Sequence, residues 1–410
     1  MTHRQRRSVA GRSVFTFLAA FGTLAGAALV GAAPAGAAPA WTRLATGVHY
    51  EQFDVSAAAG VAHAHVIRVN LNEPGVRVEL LYPGAVAARA TVSRLAAAQG
   101  ALAGVNGDFF NISETQHPGV EATGASVGPA IAQGRALKAA VPRGQRFGPA
   151  LPPGTGTKDV FGVGTDRRAR LDDLALDGSV RTPEGQLPLR GLNQYALPVG
   201  SVGAFTSDWG SASRVRATCG TDGDRAAPCS TDTHEVTVRG GKVVATADTP
   251  GRGTIAAGTT VLVGREAGAQ YLRKLSIGSA VTVQHRLVAA SAGTPYRFAL
   301  GGYPVLDDGR PLPGLDDTVS AVRTAVGIAD SGRRLYLLAL DGSPDYRGGL
   351  TIAEVADTMR TLGSVDAFSL DGGGSTTMAA RTSGAVTALN HPSGGAERPV
   401  PNGIGVFATG

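Results

Sequence analysis

The chain is poor in the residues that build thiol and imidazole metal sites. Its 410 residues include two cysteines and eight histidines. The histidines are scattered, which argues against a zinc centre of the usual kind. Cys219 and Cys229 lie close together in a Gly/Asp-rich stretch, so one disulfide closing a short surface loop is the simple expectation in an exported chain. Such a bond is too local to hold a fold together, and its reduction is expected to leave the chemistry nearly unchanged. Two thiols acting as metal ligands would need His234 as the nearby partner. Lysine and arginine blocks are also missing beyond the first dozen residues, and basic residues do not interleave with aromatics, which excludes nucleic acid as a partner. There is no tandem repeat of fixed period. Long apolar runs are missing too, apart from one at the start of the chain.

That run, from Val14 to Ala33, follows Arg4, Arg6, Arg7 and Arg12. Small residues at Gly36, Ala37, Ala38 and Ala40 crowd the approach to Trp41. The pattern predicts a signal peptide over residues 1–40, cleaved within 35–40, and an extracellular product with no stable membrane insertion. The competing reading is a membrane anchor, because the run is nearly long enough to span a bilayer; the small-residue stretch argues against it. Arg6-Arg7 leaves the export route open between the general and twin-arginine pathways. The formal charge of +6 falls to about +2 once the four arginines are removed.

The roughly 370 residues that remain suffice for two or three domains. Val61 to Asn70 and Val76 to Tyr82 read as a strand pair joined by a turn at Glu73-Pro74-Gly75. Thr91 caps a short helix ended by Gly100. Ala101 to Val105 then forms a strand that delivers Asn106-Gly107-Asp108-Phe109-Phe110. Alternation puts Asn106 and Asp108 on one side of the extended chain, and Gly107 permits close approach of a ligand or another strand. Phe109 and Phe110 read as core or as a sugar-stacking wall. Residues 141–157 and 181–191 are Pro/Gly-rich linkers. From about Thr206 short strands with glycine punctuation follow, including a hairpin turning at Gly240-Gly241. This organisation places a catalytic domain at 41–205 and 298–410, with a β-rich insertion at 206–297 that shapes one wall of a cleft or binds carbohydrate.

Chemistry-bearing residues concentrate after 298. Gly301-Gly302 precedes an apolar run, and Arg323 stands at the start of another strand. Leu335 to Leu340 ends at Asp341-Gly342. A helix follows, with Thr351 and Glu354 as a capping box and Ile352, Val355, Ala356 and Met359 on one face. A strand over 365–370 then delivers Asp371-Gly372-Gly373-Gly374-Ser375-Thr376-Thr377. If the crossover makes the two strands parallel, Asp341 and Asp371 share a sheet edge. The glycine run can bring backbone N–H groups to an anion. It is not a Walker A loop, because no lysine follows, and it lacks the spaced glycines of a dinucleotide fingerprint. Glu397 and Asn402 are polar positions in an otherwise apolar C-terminal element.

In order and combination, the runs Asn106-Gly-Asp-Phe-Phe110, Gly301-Gly302, Arg323-Thr-Ala-Val-Gly327, Asp341-Gly342 with Gly349-Leu-Thr351, Asp366 to Thr376, and Glu397-Arg-Pro-Val-Pro-Asn402 resemble the phosphodiester glycosidase family, whose founding activity is that of N-acetylglucosamine-1-phosphodiester alpha-N-acetylglucosaminidase. The resemblance implies an α+β fold, with a mixed β-sheet catalytic domain, flanking helices and, in some bacterial members, a β-rich inserted module. It also implies hydrolysis of a sugar-1-phosphodiester at the glycosidic C1–O bond, with a sugar phosphodiester or a phosphate-containing envelope glycan as substrate. On that basis Asp371 is the expected base or nucleophile, with Glu397 the alternative for acid–base work. Arg323 and the loop of Gly372, Gly373, Gly374, Ser375 and Thr376 are expected to hold the phosphate. Asp108 or Asp341 would bind a sugar hydroxyl or a divalent cation, calcium or magnesium, near Asp371; no other cofactor is implied. Asn106 and Asn402 would orient these groups. Asp108 departs from many relatives, which have glycine there, and is a further catalytic candidate. Two rival readings are an envelope polysaccharide glycosidase without a phosphodiester substrate, and a non-catalytic glycan-binding envelope protein.

Overall fold

A computed structural model describes residues 41–409 apart from positions 292 and 347. The expected signal peptide at 1–40 lies outside the described residues. The local signals around 324–370 produce the elements expected of them. Thr351 accepts from the backbone N–H of Glu354, whose side chain accepts in return from Thr351 N–H, and the helix Ile352–Thr361 follows. Its buried residues include Ile352, Val355, Ala356 and Met359. The helix packs on a sheet made possible by Gly327, where a Cβ would stand 2.0 Å from Ser364 Oγ and 2.6 Å from Met359 Cε.

That sheet has eight strands in the order Thr42–Ala45, Val48–Ala57, Gly60–Asn70, Arg334–Leu340, Thr324–Ala329, Asp366–Ser369, Tyr303–Asp307, Arg310–Pro311. Arg334–Leu340 and Asp366–Ser369 are each antiparallel to the intervening Thr324–Ala329. They therefore run the same way, and Asp341 and Asp371 emerge at one edge. The apolar strand interiors, among them Leu335, Leu337, Val326 and Phe368, belong to the largest buried cluster.

One expected pairing is not formed. Gly60–Asn70 pairs with Val48–Ala57 and Arg334–Leu340, whereas Val76–Leu81 pairs with Gly403–Ala408 in another sheet. Each strand has other partners, one of them the preceding strand Val48–Ala57, and the Glu73-Pro74-Gly75 turn carries the chain between sheets. This second sheet has five strands, ordered Val386–Ala388, Met378–Arg381, Ala103–Asn106, Gly403–Ala408, Val76–Leu81. The Asp371 loop is the link from the first sheet to Met378–Arg381.

A seven-stranded sheet contains Ala130–Ala132, Arg135–Lys138, Asp159–Gly164, Ala169–Thr182, Gly185–Pro188 and Tyr296–Gly301, with Thr282–Ala289 paired to Ala169–Thr182. The expected linker at 181–191 is thus largely a hairpin. A further five-stranded sheet holds Gly191–Leu192, Val202–Phe205, Thr259–Arg265, Thr233–Arg239 and Lys242–Ala247. Its hairpin turns at Gly240 and Gly241, both at positive φ. It has an apolar cluster of its own, including Val202, Val236, Val243 and Leu262. With several β-sheets and few helices among the described residues, the architecture is α+β.

Candidate active site

Two strand ends meet where the first two sheets join. Asn106 closes Ala103–Asn106, and Asp371 follows Asp366–Ser369. Asn106 is fully buried and ties the junction together. Its Nδ2 donates to Asp371 O at 2.6 Å, while its Oδ1 accepts from Thr324 Oγ1 at 2.8 Å and from Thr377 N at 3.1 Å. Asn402 acts from the other side. Its Oδ1 accepts from Asp108 N at 2.9 Å, and its carbonyl accepts from Gly107 N at 3.0 Å. A Cβ on Gly107 would lie 2.4 Å from Asn402 Oδ1, so the close approach that Gly107 permits is that of Asn402. Asn106 and Asn402 thus hold backbone in place.

The two carboxylates positioned in this way influence each other electrostatically. Asp108 is buried; Oδ2 accepts from Gly128 N at 2.6 Å, and Oδ1 has no hydrogen-bond partner among the described residues. Gly128 and Gly301 leave room for it: a Cβ on Gly301 would stand 2.6 Å from Asp108 Oδ2. Burial raises the Asp108 carboxyl, against the opposing pull of Lys138, the Gly128 N–H and Arg146. Asp371 keeps some exposure. Its carboxyl is pushed up to about 6, first by burial; Ser375, Arg398 and the Gly372 N–H oppose the rise, and Asp108 adds to it.

Arg146 is the cation facing both acids. Its guanidinium carbon lies 4.6 Å from the Phe109 ring centroid and 5.5 Å from that of Tyr303, and these two rings stack at 5.8 Å. Burial depresses its basicity, while Tyr303, Asp108, Tyr195 and Asp371 support the charged form. Nη1 donates to Pro149 O, but Nη2 is buried without a partner among the described residues. Arg323, by contrast, is engaged by its own backbone surroundings. Nε donates to Leu350 O at 3.0 Å and Nη2 to Val319 O at 2.6 Å.

The glycine loop is partly closed on itself. Gly373 N donates to Val322 O at 2.7 Å, and Ser375 N to Gly372 O at 3.1 Å. Thr376 is fully buried. Arg398 donates to Ser375 Oγ at 3.2 Å and lies so close over Gly374 that a Cβ there would be 2.3 Å from Nη2. Glu397 points elsewhere: its Oε2 accepts from Ser93 N at 3.0 Å, in the first turn of the helix Val92–Gln99.

Asp341 shares the sheet edge but has different company. Oδ1 accepts from Ser343 N at 2.8 Å, Oδ2 from His391 N at 2.9 Å, and His65 Nε2 lies at 3.4 Å. Burial pushes its carboxyl up, but these donors outweigh it and hold the group below its ordinary value. Asp108, Asp341 and Asp371 therefore do not converge as a ligand set. Among the described residues, the group of potential ligand atoms lying within 4.8 Å of one another is His117, Cys219 and Cys229. The two sulfurs are joined in the expected disulfide. Metal ligation requires thiolates, so this cluster could take a metal only after reduction.

Of the residues around Asp108 and Asp371, sequence reasoning passed over Gly128, Lys138, Arg146 and Arg398. Arg398 stands inside the Glu397–Asn402 run; Arg146 lies in the segment read as a linker.

A profile of the family described as Phosphodiester glycosidase matches residues 232–407. No curated protein matches the chain. Among solved structures, a hypothetical protein from Synechocystis superposes with a TM-score of 0.68 at 20% identity, covering 91% of this chain and 64% of its own. The present chain thus spans less than two thirds of that protein. A Burkholderia pseudomallei protein gives 0.63 at 22% identity, covering 85% of this chain and 74% of its own. The zebrafish N-acetylglucosamine-1-phosphodiester alpha-N-acetylglucosaminidase catalytic domain, auto-inhibited by its pro-peptide, gives 0.43 at 15% identity, covering 91% and 85%. The first two likenesses show a shared fold. Among the described residues no helix is long and apolar enough to cross a membrane. The profile match makes residues 232–407 similar to the phosphodiester glycosidase family, without singling out one enzyme.

Proposed function

We propose that the chain is an exported phosphodiester glycosidase that hydrolyses the C1–O bond of a sugar-1-phosphodiester. One observation carries the reading: two carboxyls, Asp108 and Asp371, both raised by burial, are set around a guanidinium whose Nη2 is buried without a partner among the described residues. An anion bearing hydrogen-bond acceptors is the natural complement of such a nitrogen. Arg146, more than Arg323, is therefore assigned to the phosphate, with Arg398 beside the Asp371 loop as a second cation. The buried Phe109–Tyr303 stack beneath Arg146 supports its guanidinium.

In the reaction, water attacks C1 as the bond from C1 to the phosphate oxygen breaks and the P–O bond stays intact. The bond's electron pair leaves with the phosphomonoester, and Asp371, ionised, takes the proton from water. Arg146 favours the charge that accumulates on the departing phosphate. That leaving group is already stable as an anion, so strong general-acid help is not needed. No step is routed through a metal, because the three aspartates do not form a ligand set. The test is product analysis on a sugar-1-phosphodiester. Release of free sugar with a phosphomonoester on the aglycone is expected. Two plain hydroxyl ends from an uncharged polysaccharide, with no turnover of the phosphodiester, would overturn the assignment in favour of an ordinary glycosidase.

A further inference from the structure

The segment carrying Arg146 has little regular structure of its own. It is a single 3-10 turn, Arg143–Gln145, followed by extended chain. Its position is set by a second segment that also lacks helix or strand, the residues between Cys219 and Cys229. Gly144 N donates to Asp222 O at 2.8 Å, and a Cβ on Gly144 would stand 2.4 Å from the Gly223 carbonyl carbon. Gln145 Nε2 donates to Thr221 O at 2.5 Å and to Asp224 O at 3.2 Å. Arg225 Nη1 donates to Arg146 O at 2.7 Å, and its guanidinium covers the Phe147 ring at 4.1 Å. Thr221, Asp222, Gly223, Asp224 and Arg225 all lie inside the ring closed by the disulfide.

The ring is anchored in turn to buried charge. Arg216, fully buried and three residues before Cys219, donates to Gln145 Oε1 at 2.9 Å and pairs with Glu114. His117, paired with Glu114, donates through Nε2 to Ala227 O at 2.8 Å. The loop thus holds the turn before Arg146 through backbone and side-chain contacts alike, and ring closure restricts the conformations open to that loop.

We propose that the Cys219–Cys229 loop is the positioning device for Arg146, so that binding of an anion at the site depends on a closed disulfide. This rests on the assignment of Arg146 to the phosphate, and it reverses the expectation that reduction leaves the chemistry untouched. Cys229 is partly exposed and offers a reductant a point of attack.

The experiment uses the purified full chain, oxidised or reduced and alkylated under native conditions, with inorganic phosphate as the probe. Reduction should weaken phosphate binding by at least about tenfold. It should accelerate amide exchange at 143–147 and leave the Arg334–Leu340 strand protected. On a phosphodiester substrate kcat/KM should fall, and a neutral glycoside should be unaffected. Unchanged exchange at 143–147, or phosphate affinity retained within about twofold, would overturn the proposal. Arg146→Ala in the oxidised protein separates the two ideas: if it leaves phosphate binding intact while reduction abolishes it, the assignment of Arg146 is what fails. Should reduction also expose the Arg334–Leu340 strand, Arg225→Ala with the disulfide intact takes its place. That variant should weaken phosphate binding, and Arg225→Lys should recover part of it; wild-type affinity in Arg225→Ala would overturn the proposal.

Discussion

Asp341 and Asp371 occupy equivalent places and have opposite characters. Each follows a strand of the same sheet, each strand runs the same way, and each acid is followed by glycine. Asp341 receives two backbone N–H groups and lies beside His65, and its carboxyl is held low. Asp371 is raised to about 6, with burial and the neighbouring Asp108 outweighing Ser375, Arg398 and one N–H. Position in the fold therefore gives an acid access to the edge, while the local supply of donors decides whether it is a structural anchor or a group poised to exchange a proton.

Substituting both acids is the most direct way to break this contrast. Asp371→Asn should lower kcat on a sugar-1-phosphodiester by at least about 100-fold with the fold intact, whereas Asp341→Asn should act mainly through stability. Steady-state kinetics beside circular dichroism checks the pair. Equal loss of kcat in two folded variants would erase the distinction.

The same contrast recurs in the arginines. Arg146→Ala should reduce kcat/KM for the phosphodiester by about 30-fold and for a neutral aryl glycoside far less, because its Nη2 has no partner among the described residues and Arg146 is the residue proposed to hold the phosphate. Arg323→Ala should lower both substrates alike, since its guanidinium is engaged by Leu350 O and Val319 O. A phosphate-selective loss at Arg323 alone would return the anion to that residue.

What was readable in the chain follows the range of the interactions. The capping box at Thr351, the buried face of its helix, the strand ending at Leu340 and the hairpin at Gly240-Gly241 all depend on residues a few positions apart. The acids at 108, 341 and 371 were visible because each ends an apolar run. Arg146 was not, because its neighbours in sequence are prolines and glycines, and its meaning comes from Phe109, Tyr303 and the 219–229 loop. The misassigned pairing of Gly60–Asn70 with Val76–Leu81 has the same cause: alternation identifies a strand but not its partner, and here the partners are the preceding strand Val48–Ala57 on one side and Arg334–Leu340 and Gly403–Ala408, hundreds of residues away, on the other.

Titration should sharpen the comparison through both rate and stability. As the base, Asp371 must be ionised, so kcat/KM should fall about tenfold per pH unit below about 6. Asp341, held low, cannot produce that limb. For stability the signs are opposite. A folded-state value raised above the unfolded one means that the stability contributed by protonated Asp371 is complete below the ordinary aspartate range and is lost as pH rises through about 6. Asp371→Asn should therefore stabilise the protein at pH 7.5 by on the order of 2 kcal/mol, with the gain vanishing near pH 4. Asp341 contributes above the unfolded value and loses its contribution as pH falls, so Asp341→Asn should destabilise at pH 7.5. Thermal melts of both variants at the two pH values check this; a lower melting temperature for Asp371→Asn at pH 7.5 would show that its carboxylate is better satisfied than its surroundings suggest.

The smallest effect is expected at Glu397, which the sequence nominated for acid–base work. Its carboxylate accepts from Ser93 N in the first turn of Val92–Gln99, where the unpaired N–H groups and the helix dipole favour a negative charge. That contact is a capping one, while the neighbouring Arg398 reaches Ser375. Glu397→Gln keeps an acceptor for Ser93 N, removes the charge and should leave turnover within about threefold of wild type, while Glu397→Ala should cost about 1 kcal/mol of stability. Because Arg398 is the next residue, the glutamine variant is the decisive one: it preserves the backbone course and the hydrogen bond, so a loss of turnover approaching that of Asp371→Asn would mean that Glu397 moves a proton in the reaction, and Asp371 would no longer stand as its sole proton-transfer group.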